Sequence, residues 1–113
     1  MKEIKIDILK SNNNEWKSIM REKLKNTKYF EIHCWNEEKT EIENALQFGK
    51  IINTDWKYGK VIKGEVTEKF CDYILKSEKP TETEVYNKMT EFFNIFIDDS
   101  FFSSHYGTEL YEK

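Results

Sequence analysis

Cysteine, glycine and arginine are scarce in this sequence, and each shortage disfavours a class of site. Its two cysteines, Cys34 and Cys71, lie far apart and have no CxxC partner, so we expect reduced core cysteines and no metal site. The four glycines form neither a P-loop nor a G-x-G-x-x-G motif, the common signatures of nucleotide binding. Arg21 is the only arginine among 18 cations, which disfavours a nucleic-acid surface. We therefore expect no cofactor and no direct contact with nucleic acid.

Long apolar runs are also missing. No stretch approaches the roughly 18 residues that a membrane-spanning helix needs. Residues 1–7 alternate charged residues with isoleucine instead of forming an apolar signal segment. The sequence therefore predicts a cytoplasmic protein that does not associate with a membrane.

Aromatic and charged residues are abundant, and the charges are unevenly distributed. Hydrophobic residues make up 38% of the chain and aromatic residues 15%, enough for one folded domain over residues 1–113. Eight cations and four anions in residues 1–30 give that segment a charge of +4, although the whole chain carries -3. Eight anions and three cations in residues 78–113 give the C-terminal third a charge of -5. Such an acidic region favours a basic partner.

Hydrophobic periodicity predicts an α+β fold. Alternation of side chains predicts strands at about 3–9 and 28–35. Apolar pairs on both sides of a turn that contains Gly59 predict two antiparallel strands, at about 50–56 and 60–65. Helical spacing of apolar residues predicts four helices, at about 15–26, 37–48, 67–76 and 81–97. The order β-α-β-α-β-β-α-α favours a small mixed or antiparallel sheet with helices on one side, and leaves an N-terminal strand–helix–strand crossover open. Aromatics at alternate positions on both sides of 28–35 predict a central strand.

The last predicted helix has the strongest local signal. Thr81 and Glu84 match a capping box, and the apolar residues that follow recur at helical spacing through Ile97. Residues 98–107 then mix acids, hydroxyls and large aromatics without a clear period.

Catalytic motifs are not apparent. Ser103-Ser104-His105 lies near Asp98 and Asp99, but adjacency in sequence does not supply the oriented geometry of a triad. His33 and Cys34 are neighbours on a predicted strand, so they point to opposite faces and cannot act as a base and nucleophile pair. We therefore expect a protein that is not an enzyme, although a small enzyme with a site assembled from distant residues stays open.

The acidic, aromatic C-terminal region is the predicted binding site. One helix cannot bury all of its aromatics, and interfaces favour large aromatics surrounded by complementary charge. The predicted partner-binding residues are Glu91, Asp98, Asp99, Phe101, Phe102 and Tyr106. The alternative is that the aromatics of this region close the core beneath a solvated acidic surface.

In size, acidity, aromatic content and lack of catalytic motifs, the chain resembles small bacterial immunity proteins that neutralise toxins delivered by neighbouring cells. The resemblance is one of type and rests on no signature motif. It implies a cytoplasmic inhibitor of a cognate, basic bacterial toxin such as a nuclease. A phage-encoded inhibitor or another acidic protein-binding adaptor is the alternative.

Overall fold

The computed structural model describes residues 1–81 and 87–113, and within these ranges the chain forms seven strands and three helices. In chain order these are β1 (Lys2–Ile4), α1 (Asn14–Lys23), β2 (Tyr29–Trp35), α2 (Lys39–Leu46), β3 (Gly49–Ile52), β4 (Gly59–Glu65), α3 (Glu68–Lys76), β5 (Asn94–Ile97), β6 (Phe101–Ser104) and β7 (Glu109–Glu112). The strands form one sheet in the order β1-β7-β6-β5-β2-β4-β3. Every neighbouring pair is antiparallel.

β2 lies inside the sheet, between β4 and β5. It pairs with β4 along its whole length, from Tyr29 opposite Glu65 to Trp35 opposite Gly59. Its side chains alternate between fully buried and half-buried after Tyr29, because successive side chains of a strand point to opposite faces. The prediction of a central strand is confirmed.

The three helices pack on one face of the sheet, which we call the helical face. Phe30 of β2 stacks on Phe70 of α3, with ring centroids 4.1 Å apart. The Trp16 indole N–H of α1 donates to the buried Ser103 hydroxyl of β6 at 3.2 Å. The core contains buried residues from all three helices and the sheet, including Trp16, Met20, Leu24, Ala45, Phe70, Ile74, Phe30, Ile32, Cys34, Ile62, Ile95, Ile97, Phe101 and Leu110. No helix within the described ranges is both long enough and apolar enough to cross a membrane.

β1 and β2 run in the same direction, with three strands between them. The chain passes from one to the other through α1, which packs on the helical face. An ion pair between Lys23 of α1 and Glu112 of β7 joins this helix to the strand beside β1. The N-terminal strand–helix–strand crossover that the sequence left open is therefore formed.

The α+β class agrees with the prediction, but the counts of four strands and four helices are wrong. The predicted helix at 81–97 is contradicted at its end, where Asn94–Ile97 forms β5. Residues 82–86 lie outside the described residues, and with them Glu84 of the predicted capping box. Three strands after residue 93 were missed, because β5 and β6 carry large apolar residues on both faces and the strand period is hidden.

Candidate functional site

The face of the sheet opposite the helices carries a second set of large side chains. We call it the open face, because no described helix packs on it. Strand alternation directs His33 and Trp35 of β2, Phe96 of β5, Phe102 of β6 and Tyr111 of β7 to this face. All five side chains are half-buried. The open face is therefore partly apolar and accessible to solvent.

Five of its rings form a continuous line, which we call the aromatic row: Trp56, His33, Phe96, Phe102 and Tyr111. Trp56 comes from the loop between β3 and β4, and its ring centroid lies 5.7 Å from that of His33. His33 lies 5.0 Å from Phe96, which stacks on Phe102 at 4.2 Å with an interplanar angle of 5°. Tyr111 ends the row, 5.9 Å from Phe102. The row crosses four neighbouring strands, about 14 Å at the usual strand spacing.

A second aromatic cluster lies at the end of the row that holds Trp56. Trp35 contacts Trp56 with ring centroids 5.1 Å apart and Phe93 with centroids 4.8 Å apart. Phe93 in turn contacts the buried ring of Tyr106 at 5.3 Å. Because these rings pack against one another, their side chains have little freedom to change conformation.

Polar side chains are placed within the aromatic row. His33 Nε2 lies 2.6 Å from a carboxylate oxygen of Glu31, and His33 Nδ1 lies 3.3 Å from the Asn94 side-chain nitrogen. The Asn94 side-chain oxygen accepts from the backbone N–H of His105 at 3.4 Å. These contacts are all satisfied if His33 is neutral, with its proton on Nε2 and an unprotonated Nδ1 that accepts from Asn94. Lys63 of β4 pairs with the same Glu31 carboxylate group at 3.4 Å.

Acidic residues outnumber basic residues among the strand positions that face outward on this side. The acidic positions are Glu3, Glu31, Glu65 and Glu109, and the basic positions are Lys50 and Lys63. Asp99 adds an exposed carboxylate in the turn between β5 and β6. The outward strand positions of the open face therefore carry a net negative charge.

A concavity of about 640 Å³ adjoins the aromatic row at the start of β2. The side chains of Phe96 and Glu31 connect it to the row. It is lined by Lys28, Tyr29, Phe30, Glu31, Lys63, Phe96, Asp98 and Asp99. The open face is thus not flat at this end.

The predicted aromatic site residues are divided between the two faces. Phe101 is only 2% exposed and belongs to the core on the helical face, and Tyr106 is only 6% exposed. Phe102 is half-buried on the open face, where it forms part of the aromatic row. Adjacent positions on β6 therefore have opposite environments.

The predicted acidic site residues also have different environments. Glu91 accepts hydrogen bonds from the Asn44 side-chain amide at 2.7 Å and from the Tyr73 hydroxyl at 2.9 Å. It thereby joins α2 to α3, and burial together with this carboxylate raises the pKa of the Tyr73 hydroxyl. Asp98 is exposed and accepts from the backbone N–H groups of Lys28 and Tyr29. Among the described residues, Asp99 makes no side-chain hydrogen bond, so its carboxylate is free to meet a partner.

The described serine and histidine side chains do not form a catalytic triad. Ser104 Oγ and a Glu109 carboxylate oxygen both lie beside Nδ1 of His105, at 3.1 and 2.5 Å. A triad needs the nucleophile and the carboxylate on opposite ring nitrogens. Burial raises the pKa of the Cys34 thiol to about 12, so this thiol stays protonated near neutral pH. No group of three or more histidine, cysteine or acidic residues within the described ranges is arranged to hold a metal ion.

Sequence reasoning missed most of the aromatic row. The one available signal was the occurrence of aromatics on both sides of β2, which predicted a central strand with His33 and Trp35 on the face opposite Phe30. Trp56, Phe96 and Tyr111 come from separate segments, so no local pattern relates them. Comparisons of the chain with protein-family models, curated proteins and solved structures find no match. Any inference about function therefore depends on the geometry of the chain itself.

Proposed function

We propose that this chain is a cytoplasmic protein inhibitor that binds a basic partner through the open face of its sheet, as an immunity protein binds a delivered toxin. The observation that supports this proposal is the aromatic row. Tyrosine, tryptophan and phenylalanine are enriched at protein interfaces because their large rings lose little conformational freedom on binding. A row of partly exposed rings across four strands supplies that kind of area.

The rigidity of the row favours binding. Phe96 and Phe102 lie directly opposite each other on paired strands and are already stacked. A surface that is ordered before it meets its partner has less side-chain entropy to lose during association. The open face is therefore suited to tight, specific contact with another protein.

Charge indicates the nature of the partner. The chain carries a net charge of -3, and the strand positions on the open face include four glutamates and only two lysines. Complementary charge speeds association and excludes wrong partners. A basic toxin such as a nuclease fits this surface, and another acidic inhibitor or adaptor would use it in the same way. The identity of the captured partner distinguishes these two functions.

The test compares two variants that introduce the same charge on opposite sides of the molecule. Phe102→Lys removes a ring from the aromatic row, whereas Leu46→Lys changes a residue of α2 that is 40% exposed. Each protein is tagged, confirmed to be folded by circular dichroism, and used to capture partners from cells that produce it naturally. We expect a basic protein to be retained by the native chain and by Leu46→Lys, and lost from Phe102→Lys.

Purified partner then allows affinity and inhibition to be measured. Loss of a central aromatic anchor costs about 2 kcal/mol or more, which is roughly thirtyfold in Kd. Inhibition of the partner's activity should weaken in the same proportion. Equal affinity for Phe102→Lys and Leu46→Lys would exclude the open face as the binding site, and binding without inhibition would favour an adaptor.

A further inference from the structure

We infer that His33 makes the open face sensitive to pH, because protonation of its Nδ1 conflicts with the hydrogen bond that it accepts from Asn94. This inference concerns the regulation of the proposed binding surface. Its structural part can be tested on the chain alone, whereas its effect on affinity rests on the proposed function.

His33 lies between Trp56 and Phe96 in the aromatic row and is in contact with several elements. The rings of Trp56 and Phe96 lie on either side, at centroid distances of 5.7 and 5.0 Å. The Glu31 carboxylate lies beside Nε2, and Lys63 of β4 pairs with that carboxylate. Only 19% of the His33 side chain is exposed, so the ring cannot easily turn away from these neighbours.

Protonation strengthens one of the two ring contacts of His33 and breaks the other. In the neutral tautomer that satisfies both ring contacts, Nε2–H donates to Glu31, and this contact becomes an ion pair when the ring is charged. Nδ1 accepts from the Asn94 amide in the neutral ring, and it becomes a donor when it binds a proton. Two donors then face each other, and the contact is lost unless the Asn94 amide reverses its orientation.

Reversal of the Asn94 amide would place two hydrogen-bond donors against each other in the turn after β6. The Asn94 oxygen now accepts from the backbone N–H of His105. A reversed amide would offer its oxygen to His33 and its own N–H groups to the His105 N–H, so this second hydrogen bond would break. His105 and Tyr106 have positive φ angles of 50° and 59°, an uncommon conformation for residues other than glycine. The turn thus loses a contact at a point where the backbone is already strained.

The contacts from His33 through Asn94 lead to His105 and Glu109, and Glu109 lies on the open face. His105 Nδ1 lies 2.5 Å from Glu109, which also accepts from the Tyr111 hydroxyl at 2.6 Å. A proton on His33 therefore acts on two parts of the aromatic row: directly at Phe96 and Trp56, and through Asn94 at the turn that leads to Tyr111. It also adds a positive charge to the surface proposed to meet a basic partner. Both effects weaken binding.

Nuclear magnetic resonance of the isolated chain tests the structural part. Spectra of the 15N-labelled protein are recorded from pH 5 to 8, the interval in which histidine side chains commonly act as switches. We expect neutral His33 to carry its proton on Nε2. We also expect the Asn94 side-chain amide and the His105 backbone amide to shift with the midpoint of the His33 ring. His105→Gln removes the other histidine and should preserve the shift of Asn94. A proton on Nδ1 at pH 8, or an Asn94 amide that does not respond to His33, would overturn the inference.

The affinity for the captured partner tests the regulatory part. Binding to the native chain should weaken about fivefold or more between pH 8 and pH 5, within the usual range of coupling between sites. His33→Gln should lose this dependence, whereas His105→Gln should keep it. Binding that responds to pH equally in the native chain and in His33→Gln would refute regulation through His33 and leave the proposed function intact. Failure of the proposed function would instead be seen as binding that survives Phe102→Lys.

Discussion

Asp98 and Asp99 are neighbours with similar exposure, yet the structure predicts very different effects for their substitution. The Asp98 carboxylate accepts from the Tyr29 N–H at 2.9 Å and from the Lys28 N–H at 3.2 Å, while its own N–H donates to the Tyr29 carbonyl at 2.9 Å. Its side chain thus continues the pairing of β2 with β5 by one residue after the β5 backbone has turned away. Asp99 makes no such contact within the described residues.

Asp98→Ala should lower the free energy of unfolding in two ways, through lost hydrogen bonds and through an unfavourable backbone conformation. Loss of the acceptor removes hydrogen bonds worth about 0.5–1.5 kcal/mol in net stability, and water access keeps the value toward the lower end. The φ angle of 48° adds about 1 kcal/mol, because alanine tolerates the left-handed region less well than aspartate does. We therefore expect Asp98→Ala to lower the free energy of unfolding by about 1.5–2 kcal/mol. Asp99→Ala should stay within about 0.5 kcal/mol of the native chain.

Two more variants separate these terms. Asp98→Gly removes the carboxylate but accepts a positive φ, so only the hydrogen-bond loss should remain, about 1 kcal/mol. Asp98→Asn keeps one acceptor oxygen and tolerates the same backbone conformation, so it should be the mildest change. Urea denaturation measures the free energy of unfolding of the native chain and of all four variants. The comparison requires unchanged m values. The interpretation fails if Asp98→Ala is no less stable than Asp99→Ala. Charge reversal to test partner binding should accordingly be made at Asp99 alone.

Two other properties can be measured directly. The association rate with a basic partner should fall steeply between about 0.05 and 0.5 M salt, as the Debye length shortens from roughly 14 to 4 Å, and a constant stopped-flow rate would exclude electrostatic steering. In the folded chain a thiol reagent at pH 8 should modify the half-buried Cys71 before the fully buried Cys34, whose pKa is about 12, and equal rates for the two thiols without denaturant would contradict the burial of Cys34.

The sequence by itself determined the elements whose signals are local. Predicted helices at about 15–26, 37–48 and 67–76 correspond to α1, α2 and α3. Thr67, the first residue of the third predicted helix, caps α3 by accepting from the Phe70 N–H at 3.2 Å. In each case one face is apolar and the other polar, so a single period describes the segment. β2 and β4 were also predicted, within one residue of their ends.

Only the tertiary structure determined the last three strands and the open face. Ile95 and Ile97 face the helices while Phe96 faces the other side, so β5 lacks the apolar and polar alternation that identifies a strand. The same segment fits a helical period through Phe92, Phe93 and Phe96, and local pattern cannot decide between the two structures. Pairing with β2 and β6 decides it, because those contacts bring together residues far apart in sequence.

The candidate site also depends on contacts between residues that are far apart in sequence. Trp56 and His33 are 23 positions apart, and Phe102 and Tyr111 lie on strands that no local pattern predicted. Composition showed that the C-terminal third is acidic and rich in aromatics. For this reason the predicted site included Phe102 and Asp99, which do lie at the open face. It could not show that Phe101 packs in the core while Phe102 lies on the open face. That division depends on the register between β5, β6 and β7, since a shift of one residue would exchange the two faces.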